Sequence, residues 1–321
     1  VERLPDELRH GSPLWVKRDD LTNARYGGNK VRKLERILEH LRKRDVERIV
    51  TVGAAGSHHA LATALFARDA GIGVTAVLVP QRSTPHVLEN LRVTSALARV
   101  VPVSSFAHAA AAVVDEVACG AFYVPPGGST ADSSLAYAAA AKELLAQVAS
   151  GLLPAPDIVV VPLGSGGTAA GLAAGFAHAG SKVRVVAVLV SEPRAWVVRR
   201  VRRLAKRALA ALGEEGGKEG GGEGGDGDER ALSLSIEERY LGGGYGAPTA
   251  DAEEALKQGA HAGVTLDLTY TAKTFAAATR VDARGPVVFW NTLSSAPLAP
   301  LLEQALAEAE LPPEVRALAR T

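Results

Sequence analysis

Cysteine is almost missing from this sequence. Cys119 stands alone among 321 residues, which excludes an internal disulfide framework and a cysteine-ligated metal cluster and fits a reducing cytoplasm. Long apolar runs are also missing. No stretch reaches membrane-spanning length, and Val1-Glu2-Arg3-Leu4-Pro5-Asp6 lacks the apolar core of a signal peptide. There is no excess of one charge: 36 Lys and Arg face 35 Asp and Glu, a formal net charge of +1. That balance argues against a dedicated nucleic-acid surface or a polyelectrolyte partner. No helical His-x-x-x-His spacing suggests a metal. What remains is 47% hydrophobic, enough for one large core or two smaller ones. We expect a cytoplasmic protein with no membrane and no nucleic-acid partner.

Short apolar runs without alternation recur along the chain, each followed by a helical pattern. A short strand running into a charged turn is predicted over 14–22, and strands over 49–52, 74–79, 100–103, 122–124, 158–161, 183–190, 265–268 and 287–290. Helices are predicted to follow over 30–44, 60–70, 86–98, 107–118, 135–149, 169–178, 196–212, 251–261, 274–281 and 298–310. Such strands indicate parallel sheets covered on both faces, an α/β fold with two open twisted sheets. Residues 213–230, almost entirely glycine, glutamate and aspartate, have no apolar side chain to bury and are expected to form a mobile loop. The helix before them carries Arg199, Arg200, Arg202, Arg203, Lys206 and Arg207. Its Val198, Val201, Leu204 and Ala208 form a stripe to bury, so the basic side reads as a solvated face.

The chemistry is concentrated in Gly27-Gly28-Asn29-Lys30-Val31-Arg32-Lys33-Leu34-Glu35. Two glycines lead into a helix whose Val31, Leu34, Ile37, Leu38 and Leu41 recur at helical spacing, and Lys30 falls within that apolar stripe. Burial and the positive end of the helix dipole both favour a neutral amine there. A neutral amine is a nucleophile that can hold a carbonyl as a Schiff base. A lysine snorkelling from a surface helix fits the same spacing, so the rest of the chain must decide.

Two glycine loops follow strands. Gly164-Ser165-Gly166-Gly167-Thr168 could direct backbone N–H groups at a phosphate. No Lys-Ser/Thr pair follows, which excludes a Walker loop. Gly164, Gly166 and Ala169, with Glu192 ending the next strand, meet a relaxed dinucleotide spacing. A tight strand-to-helix turn is the plainer alternative. In Gly53-Ala54-Ala55-Gly56-Ser57-His58-His59, Ser57 or His59 could move a proton, or Ser57 could simply cap a helix. Tyr240-Leu241-Gly242-Gly243-Gly244-Tyr245-Gly246 and Asp267-Leu268-Thr269-Tyr270-Thr271-Ala272-Lys273 place phenols in flexible or strand-end positions.

Together, Lys17-Arg18-Asp19-Asp20-Leu21-Thr22, the Gly27 motif, the Gly164 loop through Leu172, and Tyr270-Thr271-Ala272-Lys273 resemble a specific pyridoxal-phosphate family. It is the family of D-cysteine desulfhydrase and 1-aminocyclopropane-1-carboxylate deaminase, of the tryptophan-synthase-β-like fold type II. The resemblance covers residues 14–300. It implies that Lys30, with Asn29 beside it, forms the Schiff base with pyridoxal 5'-phosphate. It implies that Lys33, Gly164, Ser165, Gly166, Gly167 and Thr168 hold the cofactor, chiefly its phosphate. Ser57, His58 and His59 would meet the substrate, Tyr245 and Tyr270 would be active-site phenols, and Thr271 would meet the pyridine nitrogen. Lys30 or Ser57 would take the Cα proton.

The ring-opening deaminases carry glutamate at the position of Thr271. Threonine lacks that charge and favours the desulfhydrase side. Several residues depart from the family pattern. His58 replaces an asparagine, Leu268-Thr269 replaces Pro-Val, and Ala272 replaces glycine. Asn291-Thr292-Leu293-Ser294-Ser295 replaces His-Thr-Gly-Gly and is expected to reshape the pocket. The resemblance implies a large domain, 1–44 with 150–321, a small mobile domain, 45–149, that closes over the substrate, and a homodimer. The expected activity is β-elimination from a small amino acid, giving pyruvate, ammonia and sulfide from D-cysteine. The alternatives are cyclopropane deamination, a β-replacement synthase, and a cofactor-binding protein without turnover. A nicotinamide oxidoreductase would leave Lys30 without a role.

Overall fold

The structure, a computed structural model, describes residues 1–215 and 231–320. Its elements run β1 (Glu2–Arg3), β2 (Leu14–Arg18), α1 (Asn29–Arg42), β3 (Arg48–Ala54), α2 (His58–Asp69), β4 (Gly73–Val79), β5 (Gln81–Arg82), α3 (Pro85–Leu97), β6 (Arg99–Pro102), α4 (Phe106–Ala118) and β7 (Phe122–Val124). They continue as α5 (Ala131–Ala149), β8 (Ile158–Leu163), α6 (Gly167–His178), β9 (Arg184–Leu189), α7 (Arg194–Glu215), β10 (Leu234–Glu237), α8 (Ala250–His261), α9 (Thr271–Arg280), β11 (Val287–Asn291) and β12 (Ala319–Arg320).

Two compact units emerge, residues 1–33 with 129–295 and residues 34–128 with 296–321. The first is built on a six-stranded sheet in the order β1-β2-β11-β8-β9-β10. It is parallel except for the β1–β2 pair. Every residue of β8 is buried, and the pleat divides them between two helical layers. Val159, Val161 and Leu163 meet Leu172, Phe176 and Val201 of α6 and α7. Ile158 and Val160 join Ala255, Phe275 and Phe289 on the side of α8 and α9. Each such side chain contributes roughly 1.5–3 kcal/mol by leaving water.

The second unit holds a four-stranded parallel sheet, β6-β4-β3-β7. Ala76 and Leu78 pack with Ala60, Val87 and Leu91 of α2 and α3, and with Leu311, Val315 and Leu318 of the C-terminal segment. Val50, Val52, Val77 and Val79 face Ala109 of α4.

These findings confirm the expected α/β class and correct its details. Residues 265–268 form no strand, because Asp267 there folds its side chain back onto the start of α9. The sixth strand is β10, a four-residue, half-buried edge strand too short to stand out by apolar patterning. Residues 298–310 are not one helix: a single turn, Ala299–Leu302, is followed by a 3-10 turn, Glu308–Glu310. Helix α7 reaches Glu215, so Gly213 is helical, and residues 216–230 of the expected loop lie outside the described residues. The unit boundaries also differ from those expected. Residues 34–44 go with the second unit, and 131–149 go with the first, where α5 supplies Tyr137 and Leu144 to the main core. Residues 296–321 join the second unit because β12 pairs with β5 and Leu318 enters that core. Among the described residues no helix is long and apolar enough to cross a membrane.

Candidate active site

The turn before Lys30 is held from three sides. Gly28 N–H donates to Asp19 O at 2.8 Å, Asn29 N–H to Thr292 O at 3.1 Å, and Gly27 N–H to Ser294 Oγ at 2.8 Å. Gly28 adopts φ +87°, and a Cβ there would lie 2.6 Å from Thr292 O and 2.7 Å from Leu293 O. Only glycine fits that approach. Residues 291–295 therefore do more than line a pocket, as the sequence had suggested. Ser294 braces Gly27, Ser295 Oγ donates to Asp20 Oδ2 at 2.6 Å, and Asn291 Nδ2 donates to Thr265 O at 3.2 Å.

Beneath the turn, the carboxylate of Asp19 is fully buried. Its Oδ1 accepts from Arg32 Nε and Nη2 at 3.2 and 3.0 Å, and its Oδ2 from Tyr137 Oη and Trp290 Nε1, both at 2.7 Å. Arg32 Nη1 and Lys17 also bind Glu143. A buried charge with this many donors is compensated and geometrically fixed, and it anchors the first turns of α1.

Lys30 Nζ donates to Asn29 Oδ1 at 2.6 Å, and Asn29 Nδ2 donates to Thr168 Oγ1 at 3.0 Å. The lysine is thus tied through one side chain to the glycine loop predicted to work with it. Burial lowers its amine to about 8, against an upward pull from the carboxylate of Asp267. A substantial neutral fraction exists near physiological pH. Lys33 is buried one turn later. Its Nζ lies 3.3 Å from Ser129 Oγ, and burial, with Lys30 and Arg200 nearby, holds it well below the usual lysine range.

Ser129 Oγ also accepts from Gly167 N–H at 3.3 Å and lies 2.8 Å from Ser165 Oγ. Gly166, at φ +92°, is the N-cap of α6, and no side chain caps that helix. Lysine, two hydroxyls and a helix start converge here. An added Cβ at Gly167 would lie 2.6 Å from Ser129 Oγ, so the cradle has no room for more. A half-buried amine with a lowered pKa at one end and an anion cradle at the other fit the aldehyde and phosphate of pyridoxal phosphate.

Tyr270 Oη donates to Tyr245 Oη at 2.9 Å, with the rings edge to face. Loss of water around the hydroxyls raises both phenols, Tyr270 well above its ordinary value, although 37% of Tyr245 as a whole remains exposed. Both are therefore proton donors at neutral pH. Asp267 organises this end. Its Oδ2 accepts from the N–H groups of Thr269 and Tyr270 at 3.0 and 2.9 Å, and its Oδ1 from Thr271 N–H at 2.9 Å and Thr271 Oγ1 at 2.6 Å. Lys273 Nζ donates to Leu241 O at 2.7 Å and Gly244 O at 3.3 Å, holding the glycine stretch that carries Tyr245.

In the second unit, Ser57 is the N-cap of α2 and accepts from Ala60 N–H at 3.2 Å. His58 Nε2 lies 2.9 Å from His86 Nε2, which also meets Asn90 Nδ2 at 3.2 Å. The amide donates, so His86 accepts and His58 donates. His59 is interior, at 4% exposure. Its Nε2 lies 2.8 Å from Thr51 Oγ1, whose proton goes to Val124 O, and its Nδ1 lies 3.3 Å from Thr63 Oγ1. These contacts hold its ring in the interior of the second unit.

Sequence reasoning missed Ser129, Asp267 and Lys273. Ser129 follows two glycines after a strand, the pattern read elsewhere as a ligand loop. Asp267 precedes Thr271 by four residues at a helix start, a capping signal. Nothing in the sequence distinguishes Lys273 from a surface lysine.

Residues 1–292 match the pyridoxal-phosphate dependent enzyme family. The chain is 32% identical over 83% of its length, and 78% of the relative, to a Pyrococcus furiosus protein provisionally named 1-aminocyclopropane-1-carboxylate deaminase. It is 34% identical to nocardicin C-9' epimerase of Nocardia uniformis, covering 88% of this chain and 86% of the relative. With D-cysteine desulfhydrase of Salmonella choleraesuis the identity is 29%, over 91% and 89%. Among solved structures, an ACC deaminase homologue superposes with a TM-score of 0.77 at 25% identity, covering 94% of this chain and 92% of the other. This chain is thus a member of the pyridoxal-phosphate dependent enzyme family, dependent on that cofactor, and the family acts on small amino acids.

Proposed function

We propose that the chain is a carbon–sulfur lyase that eliminates hydrosulfide from D-cysteine, leaving pyruvate and ammonia after water is added. When bound, pyridoxal phosphate supplies an aldehyde that captures the substrate amine and a ring that draws electrons from Cα. Lys30 would hold the cofactor by its amine and, once displaced, take the Cα proton. Tyr245 accepts a hydrogen bond from Tyr270, so its own proton is available to the departing sulfur. Ser57 is assigned the substrate-side role that the family motif implies. Lys33, Ser129, Ser165 and Gly167 would hold the phosphate.

The observation carrying the choice of reaction is Thr271. Its buried hydroxyl gives its proton to Asp267 Oδ1 at 2.6 Å and accepts from Asp267 N–H at 2.7 Å, so the side chain is neutral where a glutamate would bring a full charge. A weaker electron sink suffices to expel a thiolate and suits a cyclopropane ring poorly. The test is an assay of purified holoenzyme with D- and L-cysteine and with the cyclopropane amino acid. Sulfide and pyruvate from D-cysteine are expected; the four-carbon oxo acid with no sulfide would reverse the assignment.

A second reading, epimerisation at Cα, draws support from the similarity to nocardicin C-9' epimerase. It requires proton delivery to both faces of Cα. Solvent deuterium appearing at Cα of both enantiomers, without sulfide, would favour it.

A further inference from the structure

Arg200 belongs to the run of basic residues on α7 that the sequence assigns to a solvated face. In the structure it is half-buried and turned to the cradle. Arg200 Nε donates to Ser165 O at 3.1 Å, and Nη2 donates to Ser129 O at 2.9 Å. Its guanidinium carbon lies 4.9 Å from the ring centre of Trp196, one turn earlier. One planar fork therefore ties together the backbones of two residues that are 36 positions apart in sequence and whose hydroxyl oxygens are 2.8 Å apart. Ser129 Oγ is also the atom that meets Lys33 Nζ and Gly167 N–H. The register of the whole cradle depends on how Ser129 sits against Ser165.

We propose that Arg200 is a positioning residue for the cofactor's phosphate, its fork holding Ser129 and Ser165 so that Lys33, both hydroxyls and Gly167 N–H converge on one dianion. This rests on the reading that the cradle takes the phosphate. A guanidinium can bridge two carbonyl oxygens in fixed geometry, whereas an ammonium on a flexible stem is a point charge that cannot reproduce the fork. Stacking on Trp196 further limits the rotation of the guanidinium. Arg200 also keeps its charge at every relevant pH, while burial suppresses that of Lys33 until an anion arrives.

The experiment strips cofactor from the full chain and measures dissociation constants for pyridoxal phosphate and for pyridoxal, which has the aldehyde but no phosphate. Wild type, Arg200→Lys and Arg200→Met are compared, each checked for an intact thermal transition. Wild type should prefer the phosphorylated ligand. Both variants should weaken pyridoxal phosphate about tenfold, as expected for losing a charge-assisted hydrogen bond, and leave pyridoxal unchanged. Equal weakening of both ligands would reveal a merely structural role and overturn the proposal. Full rescue by Arg200→Lys would also overturn it, since charge alone would then suffice. A wild type that does not discriminate between the ligands would instead remove the phosphate reading itself, and the proposal with it.

Discussion

Each unit carries a glycine loop at the carboxyl end of a central strand, leading directly into a helix. After β8, the helix starts at Gly166 with no side-chain cap, and Lys33, Ser129 and Ser165 gather beside it. After β3, Ser57 caps α2 by accepting from Ala60 N–H, and His59 is committed to Thr51 and Thr63. The same strand–loop–helix architecture thus has two outcomes. A glycine N-cap has no side-chain acceptor of its own, and the Gly167 N–H turns instead to Ser129 Oγ, a hydroxyl that also meets Lys33, which leaves this helix start among donors suited to an anionic ligand. A serine N-cap satisfies one of them internally and keeps its hydroxyl proton for another partner.

The largest test concerns the lysine beside the uncapped loop. Lys30→Ala should abolish the borohydride-reducible link to the cofactor and lower turnover by about 10²–10⁴-fold or more, the range for loss of a positioned acid–base group. Mass spectrometry of the reduced protein would detect a link surviving on another lysine, which would break the comparison at its root. Next, Gly167→Ala places a methyl group against Ser129 Oγ. Affinity for pyridoxal phosphate should fall about 10–100-fold, equivalent to roughly 1.4–2.8 kcal/mol, as read by titration of the stripped protein.

A smaller effect separates the two loops by pH. The Lys30 amine attacks only when neutral and titrates at about 8. The rate of cofactor capture should therefore climb about tenfold per pH unit below that value and level off above it. Because Asp267 raises the Lys30 pKa, Asp267→Asn should move the midpoint to lower pH; an unmoved midpoint would show that its charge does not reach the amine. Smallest of all, Ser57→Ala should cost the second unit about 1 kcal/mol, the usual value of a lost serine cap, in urea unfolding. Affinity for the cofactor should hold while turnover falls.

Much of this was legible in the residues. The unbroken apolar run of β8 and the helical stripe of α1 placed both glycine motifs at strand ends and helix starts, and the position of Lys30 within an apolar stripe implied a depressed pKa. Arg200 was misread because its neighbours Arg199 and Arg203 are exposed, and periodicity cannot distinguish a basic side chain reaching a loop from one reaching water. The partners of His59 could not be read from the sequence, since Thr51 and Val124, which fix its tautomer, come from different strands.

By itself the sequence determined the alternation of strands and helices, the place of Lys30 in an apolar stripe and the glycine turns, because these are set by local spacing and by glycine's backbone freedom. Only the tertiary structure decided which polar groups share a proton or a charge: Asp19 with Arg32, Tyr137 and Trp290, Asp267 with Thr271, and Arg200 with Ser129 and Ser165. Those pairings join distant parts of the chain or depend on how its turns close. A hydrogen bond requires its partners within about 3 Å, a condition met only once the sheets and helices have packed.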